Sequence, residues 1–238
     1  MEMKHLIPRV ISFPFVASYL AKARLAACRR EVQAAGLWFV DIPRTGSTSI
    51  KLFLEQTFGE AFGKSYVRET NRETPRVIAD HTPARQAREI LSPELWHRVF
   101  TFTIVRNPWD RCYSLFRYRI ANKEIPAEFP FSKYLTFLER HNTRHPYTPF
   151  IYPPLFIPMC DFIFDAEGNQ LVNYIGRFEQ REEFMLILKE RTGVDFSGRR
   201  RAEVLGQPGD YRKAYCNEGM EIVARIYRDD IERFGYDF

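Results

Sequence analysis

Short apolar runs alternate along this chain with longer stretches of helical periodicity. Residues 37–42 and 100–105 are apolar, rich in β-branched or aromatic side chains, and stop at Pro43 and just before Pro108. Runs of this length and composition, bounded by turn residues, predict buried strands. A further strand is predicted over 76–80. Strands that alternate with helices favour an α/β fold with a mainly parallel central sheet flanked by helices.

Helix boundaries can be predicted from caps and prolines. Gly36 ends a helical pattern over 18–35, and Thr82-Pro83 and Ser92-Pro93 are typical of the first turns of helices. Further helices are predicted from near Ser49, after Pro108, and over 131–140, 179–191 and 217–233. Residues 162–164 and 171–175, separated by a polar turn, predict a hairpin or two short strands.

The chain is long enough for one sizeable hydrophobic core. It has 238 residues, of which 45% are hydrophobic and 15% aromatic, and this favours a single domain over two small ones. We interpret 1–36 as an N-terminal helical extension and 37–238 as the domain. Residues 122–160, rich in proline and aromatic side chains, are interpreted as an excursion over the sheet and a possible lid over an acceptor.

The four cysteines have neither paired nor metal-ligand spacing. Cys28, Cys112, Cys160 and Cys216 are scattered, which predicts free thiols in a reducing compartment and no metal site. The apolar stretch at 10–21 is interrupted by proline and is shorter than the roughly 20 residues that span a bilayer. We therefore expect a cytoplasmic protein; peripheral membrane contact through this stretch has no other support in the sequence.

The net charge favours anionic ligands without naming one. The formal charge is +5, from 35 basic and 30 acidic residues. Because the two signs are interspersed and form no dense basic stripe, we do not expect nucleic acid as a partner. The sequence gives no indication of an oligomeric state.

A loop rich in hydroxyl side chains leaves the first predicted strand and enters a helix. It comprises Pro43, Arg44, Thr45, Gly46, Ser47, Thr48 and Ser49. Backbone N–H groups at a helix N-terminus can bind an anion, with Arg44 as the cation and the hydroxyls as further donors. The G-x-x-x-x-G-K-[ST] spacing of nucleotide triphosphatases is absent. A simpler interpretation is a Ser/Thr-rich helix cap.

A second polar segment follows the strand at 100–105. Arg106 ends the strand and Ser114 lies two turns into the next helix. An arginine fork with a serine hydroxyl suits a terminal phosphate monoester. The alternative is that Asp110 and Arg111 form a solvated pair and Arg106 merely caps the strand.

Together the two segments resemble motifs of the sulfotransferases that use 3′-phosphoadenosine 5′-phosphosulfate, in particular the branch that acts on glycans. The loop is similar to that family's P-K-T-G-[GS]-T-S, and residues 106–114 are similar to its R-[ND]-P-x-x-R-x-x-S. Residues 172–179, with Gly-Arg-Phe-Glu at 176–179, and residues 230–238 resemble the family as well, so the likeness extends from about residue 37 to 238.

The resemblance implies a metal-independent α/β enzyme with a fold like that of the P-loop kinases. Its loop would hold the 5′-phosphosulfate, and Arg106 and Ser114 would hold the 3′-phosphate, with adenosine 3′,5′-bisphosphate as the product. Arg177 is a candidate for the 3′-phosphate or the adenine. The acceptor would be a hydroxyl, and the family branch favours a carbohydrate. Arg44 replaces the family's loop lysine, and its planar fork cannot place a single ammonium proton on the leaving oxygen in the same way.

His81 is the predicted general base. An acceptor hydroxyl loses its proton as the new S–O bond forms, which calls for a group that titrates near neutrality. His81 follows the strand predicted at 76–80, and the resembling glycan enzymes have a catalytic histidine ahead of their 3′-phosphate strand. Glu55 ranks second as a base, because it lies about two turns inside the helix after the loop and should point away from the anion. Asp41 and Asp80 are candidates to orient Arg44 or His81.

Three other functions stay open at this point. A nucleotide or sugar kinase with a degenerate phosphate loop would need acidic ligands for Mg²⁺. A second alternative is a non-catalytic protein that binds the same nucleotide. The presence of Arg44 in place of the family's loop lysine favours this alternative most. A nucleic-acid-binding module would need a clustered basic face.

Overall fold

The computed structural model describes residues 14–62, 81–141, 156–196 and 210–238. These residues form an α/β structure in which helices outnumber strands. The strands are β1 (Leu37–Val40), β2 (Phe100–Val105) and β3 (Tyr174–Arg177). The helices are α1 (Pro14–Ala35), α2 (Thr48–Phe58), α3 (Ala84–Leu91), α4 (Pro93–Arg98), α5 (Pro108–Ala121), α6 (Phe131–His141), α7 (Cys160–Ile163), α8 (Arg181–Thr192), α9 (Asn217–Ile226) and α10 (Arg228–Phe234).

The three strands form one parallel sheet in the order β1-β2-β3. Val40 pairs with Thr103 at one side of the central strand, and Val105 pairs with Arg177 at the other. Because the strands are parallel, their carboxyl ends meet at one edge, where ligands bind in sheets of this kind. That edge carries the loop after β1, Arg106 after β2 and Phe178 after β3.

Side-chain caps fix two of the helix starts that the sequence predicts. The Ser92 hydroxyl accepts a hydrogen bond from the Leu95 N–H at 3.3 Å, and Pro93 is the first residue of α4. The Asn107 side chain accepts from the Trp109 N–H at 3.0 Å, with Pro108 in the first turn of α5. Both match the preference for polar caps followed by proline.

Two apolar clusters hold the described residues together. The larger surrounds the sheet, where Phe102 and Ile104 of β2 are buried. Helix α8 packs so closely on β3 that a Cβ on Gly176 would lie 2.0 Å from the Phe184 ring. The smaller cluster joins α5, α6 and α9 through residues such as Trp109 and Tyr134.

The structure confirms four predicted elements, with ends shifted by a few residues: the strand at 100–105 and the helices at 18–35, 131–140 and 179–191. β1 ends at Val40, two residues before the predicted end. The strand predicted at 76–80 lies outside the described residues, as do 142–155 of the excursion and 1–13 of the extension.

Residues 162–164 and 171–175, predicted as a hairpin or two short strands joined by a turn, form such a structure only in part. Helix α7 contains Phe162 and Ile163, one antiparallel bridge joins Phe164 to Gln170, and β3 pairs with β2. The cause is a distant contact, because the Asp230 carboxylate accepts hydrogen bonds from the N–H groups of Met159 and Cys160, both at 2.8 Å. This satisfies donors at the start of the helix.

The single helix predicted over 217–233 is two helices. Tyr227, at φ −112° and ψ 32°, separates α9 from α10. None of the described helices is both long and apolar enough to cross a membrane.

Candidate functional site

The turn from β1 into α2 adopts left-handed backbone conformations at Arg44 (φ 65°) and Gly46 (φ 83°). A Cβ on Gly46 would lie 2.6 Å from Cε2 of Phe178, the residue that follows β3. Glycine is therefore required at this position for two reasons, the backbone angle and the contact. The contact joins the loop directly to the end of β3.

Most hydroxyls of the loop are used within the protein. The Thr45 hydroxyl is buried and donates to Ile42 O at 2.9 Å, and Ser49 Oγ donates to Gly46 O at 3.4 Å. Ser47 is buried, whereas Thr48 is exposed. Ser47 makes no side-chain cap for α2, so the simple helix-cap interpretation does not describe this residue.

Arg44 reaches from the loop to α5. Its Nε and Nη2 donate to Ser114 Oγ at 3.3 and 3.0 Å, and its guanidinium lies 4.6 Å from the centre of the Tyr118 ring. Burial, with the nearby charge of Arg106, lowers the pKa of Arg44 to about 10. Arg44 still carries its charge at neutral pH.

Arg106 is held at the end of β2 by three contacts. Its Nε lies 2.7 Å from Asp110 Oδ2, its Nη1 donates to Arg44 O at 3.1 Å, and its guanidinium lies 4.3 Å above the Phe178 ring. The guanidinium groups of Arg44 and Arg106 are therefore brought to the same edge of the sheet. The Asp110 carboxylate offsets part of this positive charge.

The alternative in which Asp110 and Arg111 form a solvated pair is wrong. Arg111 is only 3% exposed. Its Nε donates to Pro43 O and its Nη2 to Ile157 O, both at 3.0 Å. The buried Arg111 guanidinium therefore holds the backbone of the loop in place through its hydrogen bond to Pro43 O.

His81 lies beside the residue that follows β1. Its Nδ1 is 3.0 Å from Asp41 Oδ2 and 3.3 Å from Asp41 O. Lys51 Nζ of α2 lies 2.9 Å from the same carboxylate oxygen. Burial alone would raise the pKa of Asp41, but hydrogen bonding and charge from His81, the Lys51 ammonium and a hydrogen bond from Ser47 lower it to about 2. Asp41 is thus in contact with both His81 and Lys51.

Arg177 faces another part of the protein. It donates to Phe234 O, and its guanidinium lies 4.8 Å from the centre of the Tyr236 ring. The structure therefore does not bring Arg177 into contact with Arg44 or Arg106. Glu55, the second candidate base, is half-buried on α2. Asp80 lies outside the described residues.

Several residues at this edge were not predicted from the sequence. Phe178 lies between Arg106 and Arg181, because the Arg181 guanidinium is also close to its ring, 5.2 Å from the ring centre. Arg181 donates from Nη2 to Ser49 Oγ at 3.2 Å. Lys51 and Tyr118 also join the site. Of these, Lys51 could have been found from its position one helical turn after the loop; the others depend on the packing of α5 and α8.

The arrangement can bind an anionic ligand with more than one acidic group. Arg44, Arg106 and Arg181 surround the loop, and the first N–H groups of α2 precede its first backbone hydrogen bond, from Lys51 N–H to Ser47 O at 2.9 Å. Such N–H groups and guanidinium forks complement phosphate or sulfate oxygens. A scan of protein-family models, a search of curated proteins and a search of solved structures each found no match to this chain.

Proposed function

We propose that this protein is a sulfotransferase that moves the sulfuryl group of 3′-phosphoadenosine 5′-phosphosulfate to an acceptor hydroxyl. The observation that carries the proposal is the contact between the two motifs. Arg44 of the loop donates to Ser114, and Arg106 donates to Arg44 O. We further propose that the α/β structure is a sulfotransferase fold similar to that of P-loop kinases, built on the β1-loop-α2 unit.

The donor would bind across the carboxyl edge of the sheet. In this proposal Arg106 and Ser114 hold the 3′-phosphate, while the N–H groups at the start of α2 and the Arg44 guanidinium hold the 5′-phosphosulfate. Support comes from the forks of Arg44 and Arg106, which can each form charge-assisted pairs with such oxygens. Arg177 is left out of this set, because it contacts Phe234 O and the Tyr236 ring and neither of the two other arginines.

The proposed reaction is a direct in-line transfer. The acceptor oxygen forms a bond to sulfur as the bond from sulfur to the bridging oxygen breaks, and adenosine 3′,5′-bisphosphate leaves with that electron pair. The acceptor proton goes to His81. Arg44 and the loop N–H groups stabilise the charge that grows on the bridging oxygen, which is the largest contribution in sites of this kind. The proposal assigns no step to a metal ion.

We propose a carbohydrate hydroxyl as the acceptor. This rests on the likeness of the loop and of residues 106–114 to the glycan branch. The aromatic residues of the excursion that could stack on sugar rings, Tyr147, Phe150 and Tyr152, lie outside the described residues. Phe156 is half-buried, with the Arg119 guanidinium 5.7 Å from its ring centre.

The direct test is transfer of label from sulfur-labelled donor to a panel of glycans, phenols and lipids in the presence of a chelator. We expect labelled product from wild-type protein, and about 100-fold slower transfer from Arg44→Ala, which removes one donor to the transition state. Arg225→Ala is the matched control, because Arg225 is an exposed arginine paired with Glu139. Absence of product with every acceptor class contradicts the proposal.

A second candidate is a non-catalytic protein that binds the same nucleotide. It is favoured by the orientation of Arg44, whose fork is engaged by Ser114 and the Tyr118 ring. Calorimetry separates the two functions, because a binder takes up adenosine 3′,5′-bisphosphate and transfers no label. Arg44→Lys is informative here, since a point charge at this position should raise the transfer rate of an enzyme and leave a binder inactive.

A further inference from the structure

A single carboxylate oxygen joins the candidate base to a lysine on α2. Asp41 Oδ2 lies 3.0 Å from His81 Nδ1 and 2.9 Å from Lys51 Nζ. The Asp41 side chain is 9% exposed, so water screens these contacts only slightly. The three residues come from separate parts of the chain: the end of β1, the second turn of α2, and the residues that precede α3.

The backbone of His81 is held in an unfavourable conformation. Its φ of 62° lies in the left-handed region, which costs a residue with a side chain free energy and persists where the surroundings fix it. Here the surroundings are the carbonyl and the carboxylate of Asp41, both within 3.3 Å of the ring nitrogen Nδ1. The ring is therefore anchored through one of its two nitrogens.

We infer, on the basis of the proposed sulfuryl transfer, that Asp41 is a positioning residue that holds His81 with its proton on Nδ1, so that Nε2 takes the acceptor proton. The Asp41 carbonyl oxygen, 3.3 Å from Nδ1, can only accept a hydrogen bond, and the ionised carboxylate beside it cannot donate one, so Nδ1 carries the proton. In a neutral imidazole the other nitrogen is then the acceptor. No hydrogen bond engages Nε2 within the described part of the chain.

Lys51 limits how strongly Asp41 acts on the histidine. After Nε2 takes a proton, the ring is a cation, and the carboxylate stabilises it. The ammonium of Lys51 at the same oxygen opposes that effect. In the described residues, the charged groups in contact with this carboxylate are His81 and Lys51.

The kinetic test compares Asp41→Asn with wild-type protein in the label-transfer assay. We expect kcat to fall by about tenfold or more, as for partners of ligating or catalytic histidines, with unchanged affinity for adenosine 3′,5′-bisphosphate. The acid limb of the kcat/KM profile should move to lower pH in Asp41→Asn and to higher pH in Lys51→Met. Asp41→Glu should restore part of the rate. Asp195→Asn, which breaks an exposed pair with Lys189, is the control and should leave the rate unchanged.

A second readout needs no activity and no variant at Asp41. Long-range proton–nitrogen correlation spectra of wild-type protein report the tautomer of each histidine, and His81→Gln identifies the His81 signals. We expect a protonated Nδ1 and an unprotonated Nε2. A proton on Nε2, or a wild-type kcat in Asp41→Asn, overturns the positioning role alone. If wild-type protein transfers no label to any acceptor, the proposed function fails and this role fails with it.

Discussion

Arg44 and Ser114 are 70 positions apart in the sequence and are joined by two hydrogen bonds, at 3.3 and 3.0 Å. One residue belongs to the turn after β1 and the other to the helix after β2. Because both elements start at the carboxyl edge of a parallel sheet, their polar residues converge there. This convergence is the physical basis of the proposed nucleotide site.

Arg106 should contribute to affinity only where the ligand carries a 3′-phosphate. Arg106→Ala is expected to weaken adenosine 3′,5′-bisphosphate about 10- to 100-fold, because a charge-assisted contact is lost. Its affinity for adenosine 5′-monophosphate, which lacks that phosphate, should stay close to the wild-type value. Calorimetric titration of both ligands measures this, and equal losses for the two would contradict the assignment of Arg106.

Gly46→Ala should destabilise the protein more than Gly193→Ala. Both glycines have positive φ, at 83° and 70°, but a Cβ meets the Phe178 ring at position 46 and nothing within 4 Å at position 193. The backbone strain of about 1 kcal/mol is common to both variants, so the difference in thermal stability reports the Phe178 contact.

Removing the Phe178 ring tests directly whether its contact with position 46 causes the difference in stability. In a Phe178→Ala background, the two glycine variants should become similar in stability. A persistent difference would mean that the contact is not the cause.

Arg111→Leu should lower stability by about 3 kcal/mol, because carbonyl oxygens of Pro43 and Ile157 lose buried donors. Denaturant unfolding measures the loss. Arg225→Leu, at an exposed arginine, should change stability by less than about 0.5 kcal/mol. Similar values for the two variants would rule out a structural role for Arg111.

Asp41 should make stability depend on pH in the acid range. Its pKa in the folded protein is about 2, against the ordinary value of 3.8, so the folded state favours the carboxylate. The contribution, on the order of 2 kcal/mol, is complete above pH 5 and is lost as pH falls toward 2. Asp41→Asn should therefore be less stable than wild-type at pH 6, and the gap should narrow in thermal melts at pH 4 and pH 3. A gap that does not change with pH would contradict the ionised state.

The sequence was sufficient to predict the secondary structure where local signals determine it. The apolar run at 100–105 and the helix start at Ser92-Pro93 each depend on a few neighbouring residues, and both are found as predicted. The parallel α/β class followed from the alternation of strands and helices. His81 lies beside Asp41, and the orienting role of that aspartate stays a prediction.

Predictions failed where a residue distant in the sequence determines the local structure or the position of a side chain. Asp230 stabilises α7 from 70 positions away, so an apolar run that suits a strand becomes a helix. Arg177 was predicted at the site from its motif, but its contacts with Phe234 and Tyr236 depend on how α10 packs beside β3. Phe178 and Arg181 were not predicted at the site for the same reason. Their positions at the loop depend on the three-dimensional arrangement of β3 and α8.

The most direct measurement is calorimetric titration of adenosine 3′,5′-bisphosphate into metal-free wild-type protein, with Arg44→Ala, Ser114→Ala and a double variant. We expect binding without metal, weaker binding in each single variant, and a loss in the double variant that is not the sum of the two, because residues in contact couple energetically. ATP with Mg²⁺ should not compete. Absence of binding to the wild-type protein, or losses that simply add, would contradict a single nucleotide site built by both residues.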